Sequence, residues 1–411
     1  MLARLRGRKG PPSTPIAFVA PEHLPVPPVR GGAIGTSIVE TASRLRGRRV
    51  VVVSPVHPGL PSEETVGLVE HRRVDPSAPT GSSRTVGPQR AKKPPPLRKA
   101  YAQAAGRALE GFTGAIVVGN RPQFLPALRS AAPDAELVLS LANLHFHDAT
   151  TLRSFDTVIA WSDFVRRELL RFLGAEGVAP EVVVIRGGVD LDRFHPASLD
   201  ERATARRSLA LPEQGPIVLF AGRVVEYKGL HLLVEAWPAV RRRHPGATLV
   251  VVGAGAFGAH DASPYEEEVH RQAERAGGVR WAGFVTPEQT PPYWAAADVF
   301  CGPALWDEPL GLVYLESMAS GIPPIGVARG GIPEIISHDE TGVLLPTAPS
   351  ALDVEEALDR LLVDPALRVR LGRCGREVAE QRFGWEASAR ATEALADARF
   401  PGSTHGVTIK S

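Results

Sequence analysis

Cysteine is almost missing from this chain: Cys301 and Cys374 are the two among 411 residues, far apart and outside any CxxC spacing. That excludes a disulfide framework and a zinc ribbon, and it suits a reducing cytoplasm, where the chain is expected to work. No run of about 18 apolar residues occurs, so no membrane-spanning helix is expected. The opening stretch, Met1 to Pro12, is basic but meets Gly10, Pro11 and Pro12 instead of an apolar core, so no secretory signal is expected. Lysine is scarce, 6 against 41 arginines, a bias of GC-rich codons rather than of chemistry. Aromatics do not interleave the basic stretches, which argues against nucleic-acid binding. No internal repeat of fixed period is present.

What remains is an ordinary globular composition, 44% hydrophobic and 22% charged. At about 150 residues per domain, two or three domains are expected. The net charge of +2 conceals a segregation. Residues 1–101 carry 17 Lys or Arg against 6 Asp or Glu, and the remainder carries 30 against 39. A basic first part suits a phosphorylated acceptor or an anionic membrane surface, and equally a solvated basic face.

Short β-rich apolar runs alternate with helix-like segments throughout. Ile16–Ala20, Val50–Ser54, Ala115–Gly119, Glu136–Leu141, Thr157–Trp161 and Val182–Ile185 read as buried parallel strands. A second series follows at Pro216–Ala221, Thr248–Gly253, Val279–Trp281, Asp298–Cys301 and Pro324–Val327. The pattern predicts two doubly wound α/β domains in tandem. The boundary is placed in the Gly, Asp and Pro cluster of residues 187–200, giving domains 1–195 and 196–381. Residues 75–96 read as a long loop, and residues 402–411 as a frayed tail.

Phe220-Ala221-Gly222-Arg223 ends one strand, and Lys228-Gly229 opens the next helix. Two cations at such a turn can hold a phosphate, although alone they are ordinary surface residues. Glu308 and Glu316 stand eight apart, with Pro309 and Gly311 placing the first in a loop. A helix starting near Gly311 would carry Glu316 in its second turn and offer free amides and a positive dipole to an anion. Arg30-Gly31-Gly32 follows the first strand and does not match GxGxxG; its glycines allow close backbone approach to a ligand. His145-Phe146-His147 could supply two metal ligands, but the other histidines lie in no matching setting. Asp190-Leu191-Asp192 reads as structural.

Around these residues stand Gly187-Gly188-Val189-Asp190, Gly253 with Gly255, Trp281-Ala282-Gly283-Phe284-Val285, Gly330-Gly331-Ile332-Pro333-Glu334 and Thr341-Gly342-Val343-Leu344. As a set they resemble the retaining glycosyltransferases of the GT-B fold, in particular glycosyltransferase family four. Asn120-Arg121-Pro122-Gln123 and Ala142-Asn143-Leu144-His145 are similar to the spore-coat polysaccharide branch. The resemblance implies two Rossmann-like domains facing a cleft, with a C-terminal helix (382–400) crossing back onto the first. It implies that Arg223 and Lys228 neutralise a donor diphosphate, that Glu308 contacts the donor sugar and that Glu316 binds the ribose. The amides of Gly311 and Leu312 would hold phosphate, Val285 would sit beside the base, and Gly32 would lie against the donor phosphates. Asn120, Arg121, Asn143, His145 and His147 fall on the acceptor side. A family histidine is replaced at Ala142, and His145 or His147 from the same loop is expected to take its place.

The expected activity is therefore metal-independent transfer of a sugar from a nucleotide-diphosphate sugar, UDP-linked first, to a hydroxyl of a small natural-product or amino-sugar acceptor. No cofactor is required beyond that co-substrate. A cell-wall or lipid-linked polysaccharide acceptor, with peripheral membrane contact through the basic N-terminal half, is the alternative. A sugar-nucleotide epimerase and a carbohydrate-binding module are the other classes. No sequence signal sets an oligomeric state.

Overall fold

A computed structural model describes residues 13–29, 31–75, 97–144, 146, 148–175, 177–255 and 262–399. The long loop expected at 75–96 falls outside the described residues except for Asp75, and so does the expected tail at 402–411. Two sheets carry the chain. The first holds β1 (Ile16–Val19), β2 (Val50–Pro55), β3 (Glu63–Val66), β4 (Val69–Val74), β5 (Ala115–Gly119), β6 (Glu136–Leu141), β7 (Thr157–Ala160) and β8 (Glu181–Val184). Its order is β3-β4-β2-β1-β5-β6-β7-β8, parallel except for β3. The second holds β9 (Ile217–Ala221), β10 (Thr248–Val252), β11 (Val279–Gly283), β12 (Val299–Cys301), β13 (Pro324–Val327) and β14 (Val343–Leu345), all parallel, in the order β11-β10-β9-β12-β13-β14.

The apolar runs become central strands because helices cover both faces. All four valines of Val50–Val53 are buried, as a doubly covered parallel strand requires. On one face of the first sheet, Tyr101 and Phe124 pack with Ile116 and Val158; on the second sheet, Trp237 packs with Leu249 and Val251. A continuous core including Trp161, Phe194, Trp294, Phe300, Tyr314 and Phe383 spans both sheets.

In both sheets the order reverses beside the first strand of the series, between β1 and β5 and between β9 and β12. Ligands of open α/β sheets bind outside the carboxyl ends of strands at such switch points. The hairpin β3–β4 was not expected. Its inward face carries His71 and Arg73, so an apolar reading passes over it. Arg73 is satisfied there by donating to the carbonyls of Val26 and Pro61 at 2.6–3.1 Å. The chain passes between the sheets twice, and the two crossings touch: Val189 N–H donates to Phe383 O at 2.7 Å. Helix Trp385–Arg399 lies on the first sheet's side, where Arg44 donates to Glu386 at 2.8 Å and Arg48 to Asp397 at 3.0 and 3.1 Å. Among the described residues no helix is long and apolar enough to cross a membrane.

Candidate active site

The second sheet's switch point gathers the strongest cluster. Beyond β9, Arg223 lies over the Tyr227 ring at 5.4 Å, and Tyr227 meets Trp306 with ring centroids 5.4 Å apart. Lys228 stands 5.1 Å from the Trp306 centroid and donates its Nζ proton to Glu308 Oε2 at 2.5 Å. Trp306 Nε1–H donates to the same oxygen at 2.7 Å. Glu308 and Lys228 are 12% and 19% exposed, so solvent screens their pairing only in part.

Local sequence explains this closeness. Gly229 has φ +73°, and a Cβ there would overlap the Pro303 carbonyl oxygen beyond β12. Only glycine lets the Lys228 turn press against the loop that leads to Glu308. Arg329 fixes that loop from behind, donating to Asp307 Oδ1 at 2.9 Å and to Leu305 O at 2.7 Å.

Helix Leu312–Ala319 then begins at Gly311, whose φ is +89°, and no side chain caps it. Its axis is anchored by buried Tyr314, whose hydroxyl donates to Gly302 O at 2.6 Å. An uncapped N-terminus presents its first amides and the positive dipole end outward. Glu316 follows in the second turn, partly buried. Burial pushes its carboxyl up to about 7, opposed by the Arg193 charge and the Trp294 indole. Val285 sits just beyond β11 and packs on the core.

The first-sheet residues occupy the equivalent strand ends. Gly32 caps helix Ala33–Ala42 beyond β1, and a Cβ on neighbouring Gly31 would stand 3.6 Å from Pro287 of the other half. Asn120 follows β5 with φ +57°, buried, its Oδ1 accepting from Ala142 N–H at 3.2 Å. That contact ties the ends of β5 and β6 together, with Asn143 next in the chain. Arg121 donates to Glu22 Oε2 at 2.7 Å and meets His23 Nδ1 at 3.2 Å. Burial and the Arg121 charge hold the His23 imidazole below its ordinary pKa. His145 and His147 lie outside the described residues.

Sequence reasoning missed Trp306, Tyr227, Arg193, Glu22 and His23. The signal for Trp306 was its place two residues before Glu308. Arg193 gave none, since it meets Glu316 only in the fold. Asp190 caps its own turn, accepting from Asp192 and Arg193 N–H at 3.1 and 3.0 Å, as a structural role requires.

Two parallel-sheet Rossmann-like domains facing a cleft, with a charged site at the switch point, define a GT-B glycosyltransferase architecture. The sequence pattern of the glycosyl transferases group 1 matches residues 201–378. Spore coat protein SA of Bacillus subtilis is 31% identical over 387 residues, 90% of this chain and 96% of that protein. This chain belongs to the group 1 glycosyltransferases. A GDP-mannose-dependent phosphatidylinositol monomannoside mannosyltransferase of Mycobacterium tuberculosis is 35% identical over 243 residues, 57% of this chain and 60% of that protein. Among solved structures, sucrose-phosphate synthase from Thermosynechococcus elongatus superposes with a TM-score of 0.77 at 25% identity, covering 95% of this chain and all of that one. Anabaena HepE, solved with UDP and glucose, shares the fold with a TM-score of 0.72 at 22% identity, over 94% of this chain and all of that one.

Proposed function

We propose that this chain is a retaining, metal-independent glycosyltransferase that takes a sugar from a nucleotide diphosphate, UDP first, and places it on a hydroxyl of a small amino-sugar or natural-product acceptor. The observation that carries this reading is the meeting of Lys228, Trp306 and Glu308 at the β9–β12 switch point, beside an uncapped helix N-terminus. In this reading residues 196–381 hold the donor and residues 1–195 the acceptor.

The resemblance supplies the roles, and the chemistry agrees with them. As the bond from the anomeric carbon to the diphosphate oxygen breaks, its electron pair stays on the diphosphate. Arg223, Lys228 and the amides of Gly311 and Leu312 stabilise that growing charge, which matters most in the transition state. Glu308 Oε1 is left to accept from a donor-sugar hydroxyl while Oε2 keeps Trp306. The donor phosphate then competes with Glu308 for Lys228. Glu316 accepts from the ribose hydroxyls, and Val285 and Gly32 line the base and phosphate ends. The acceptor oxygen bonds to the anomeric carbon and gives up its proton to the departing diphosphate oxygen. Asn120, Arg121 and Asn143 shape the acceptor side, and His145 or His147 stands in for the histidine replaced at Ala142.

A thermal-shift screen against UDP, GDP, ADP and their sugars tests the donor site, because a ligand bound by the folded state alone raises stability. A shift with one nucleotide is expected, and none with any would sink the reading. Glu308→Gln and Lys228→Ala should each slow transfer about 10²–10³-fold, as loss of one transition-state contact does. The product's anomeric configuration should match the donor's, and EDTA should leave the rate unchanged. Release of an epimerised sugar with donor alone would favour the epimerase reading. Flotation with anionic vesicles separates a lipid-linked acceptor from a soluble one; the chain is expected to stay with the soluble fraction.

A further inference from the structure

The segment Gly330–Glu334 has contacts of its own. Gly331 N–H donates to Glu308 O at 2.6 Å. A Cβ on Gly330 would overlap the Glu308 backbone, and one on Gly331 the Pro309 carbonyl oxygen. The glycine pair therefore lies flat against the turn that carries Glu308. Three residues beyond Gly331, Glu334 reaches the other half of the molecule. Its two oxygens accept from Asp163 N–H at 2.9 Å and Phe164 N–H at 2.6 Å. These are the first amides of helix Asp163–Leu173.

The same helix start is bound to the Glu308 turn by a second route. Ser162 is its N-cap: the hydroxyl oxygen accepts from Val165 N–H at 3.2 Å and donates to Pro309 O at 2.5 Å. A helix N-terminus leaves four amides without intrahelical partners. Here two are met by a carboxylate from the facing domain, where the helix dipole also favours negative charge. Arg186 joins the pair, donating to Asp163 Oδ2 at 2.6 Å and Glu334 Oε2 at 3.0 Å. It directly precedes Gly187 and Gly188 of the first crossing between sheets.

We propose that Glu334 is a positioning residue for transfer: it pins the Glu308–Pro309 turn to the first domain, so that donor sugar and acceptor meet at a fixed separation. This rests on the reading of Glu308 as the donor-sugar contact. Glu334 touches no substrate in this scheme. Of the proposed nucleotide contacts, Arg223, Lys228, Val285, Gly311, Leu312 and Glu316 lie in residues 196–381 and Gly32 alone lies in the first domain, so most of the nucleotide binding does not need the pin. Alignment with the acceptor does, and a misaligned donor is lost to water instead.

The test compares Glu334→Ala, Glu334→Gln and Ser162→Ala with the parent, measuring nucleotide Kd, kcat for transfer and the ratio of donor hydrolysis to transfer. Glu334→Ala is expected to keep Kd within about twofold, lose tenfold or more in kcat and raise the hydrolysis ratio. Glu334→Gln keeps an oxygen for the helix amides and should recover part of the rate. Ser162→Ala on top of Glu334→Ala should add less than it does alone, since both act on one joint. A near-parent kcat overturns the proposal, and so does a lower kcat with an unchanged hydrolysis ratio. If Glu334→Ala does not fold, the same ratio in Glu334→Gln decides. Spin labels at Leu170→Cys and Leu352→Cys, in a Cys374→Ser background, report the joint without turnover. Their distance distribution should broaden in the Glu334 variants, and an unchanged one overturns the proposal. A parent that binds no nucleotide sugar would undo the functional reading instead, leaving the distance result to stand on its own.

Discussion

Glu316 carries a titration that its spacing from Glu308 does not reveal. Its carboxyl, raised to about 7 by burial, holds a proton in the folded chain between roughly pH 4.5 and 7 that the unfolded chain has released. The folded state then binds more protons, so stability falls as pH rises through that window and stays reduced above it. Glu316→Gln removes the ionisation. It should raise the melting temperature at pH 8 much more than at pH 5, with a gain on the order of 2 kcal/mol at the higher pH. Equal gains at both values would place the charge elsewhere. Nucleotide affinity should weaken below pH 7 in the parent, because a protonated carboxyl offers fewer acceptor sites to a ribose. The Glu308–Glu316 spacing was legible as a motif, and the helix between them followed from Gly311 and the apolar positions. Their partners were not. Lys228 lies 80 positions before Glu308, and Arg193 still further from Glu316, so the fold alone brings them together.

Whole elements were legible where apolar side chains face inward on both sides. Ala115–Gly119, Glu136–Leu141 and Pro324–Val327 have the bounds the sequence suggested, and most other strands differ by a residue or two. Strand β4 was not legible, because its buried face is built from Val69, His71 and Arg73. Helix Leu199–Ser208 was passed over for a similar reason, with Ala205 and Arg206 as its buried residues. The turn before helix Leu230–Arg243 gives an element-level test. Gly229 and Gly67 both have positive φ, +73° and +61°, but a Cβ on Gly67 meets open space while one on Gly229 meets Pro303. Gly67→Ala should cost about 1 kcal/mol, the left-handed penalty alone, and leave transfer unchanged. Gly229→Ala should cost more and slow transfer at least tenfold by displacing Lys228 from Glu308. Equal effects of the two substitutions on rate would show that the close approach to Pro303 does not position the lysine.

At the scale of the molecule, the charge segregation has an internal counterpart. The basic first part meets three acids of the last helix: Arg44 donates to Glu386, and Arg48 forks onto both oxygens of Asp397 with its Nε 3.6 Å from Glu393. Some of the excess positive charge is therefore answered within the chain, and the surface offered to an anionic partner is smaller than the count suggests. The Arg48 side chain is 4% exposed and Asp397 about half exposed, so the pair is held by geometry yet partly screened. A hydrogen bond from Arg48 holds the Asp397 carboxyl below the ordinary carboxylate range. Its contribution is present above the unfolded value near 3.8 and is lost as pH falls below it. Arg48→Met should cost more than Asp397→Asn, because it also removes the bond to Thr14 O at 3.1 Å. The double variant should be less destabilised than the two single losses added, by about 1 kcal/mol at low salt. That coupling should shrink in 1 M salt and fall progressively as pH drops below 3.8. No coupling at low salt would mean that the crossing helix is held by its apolar face, Trp385, Ala389 and Ala396, with the charges incidental.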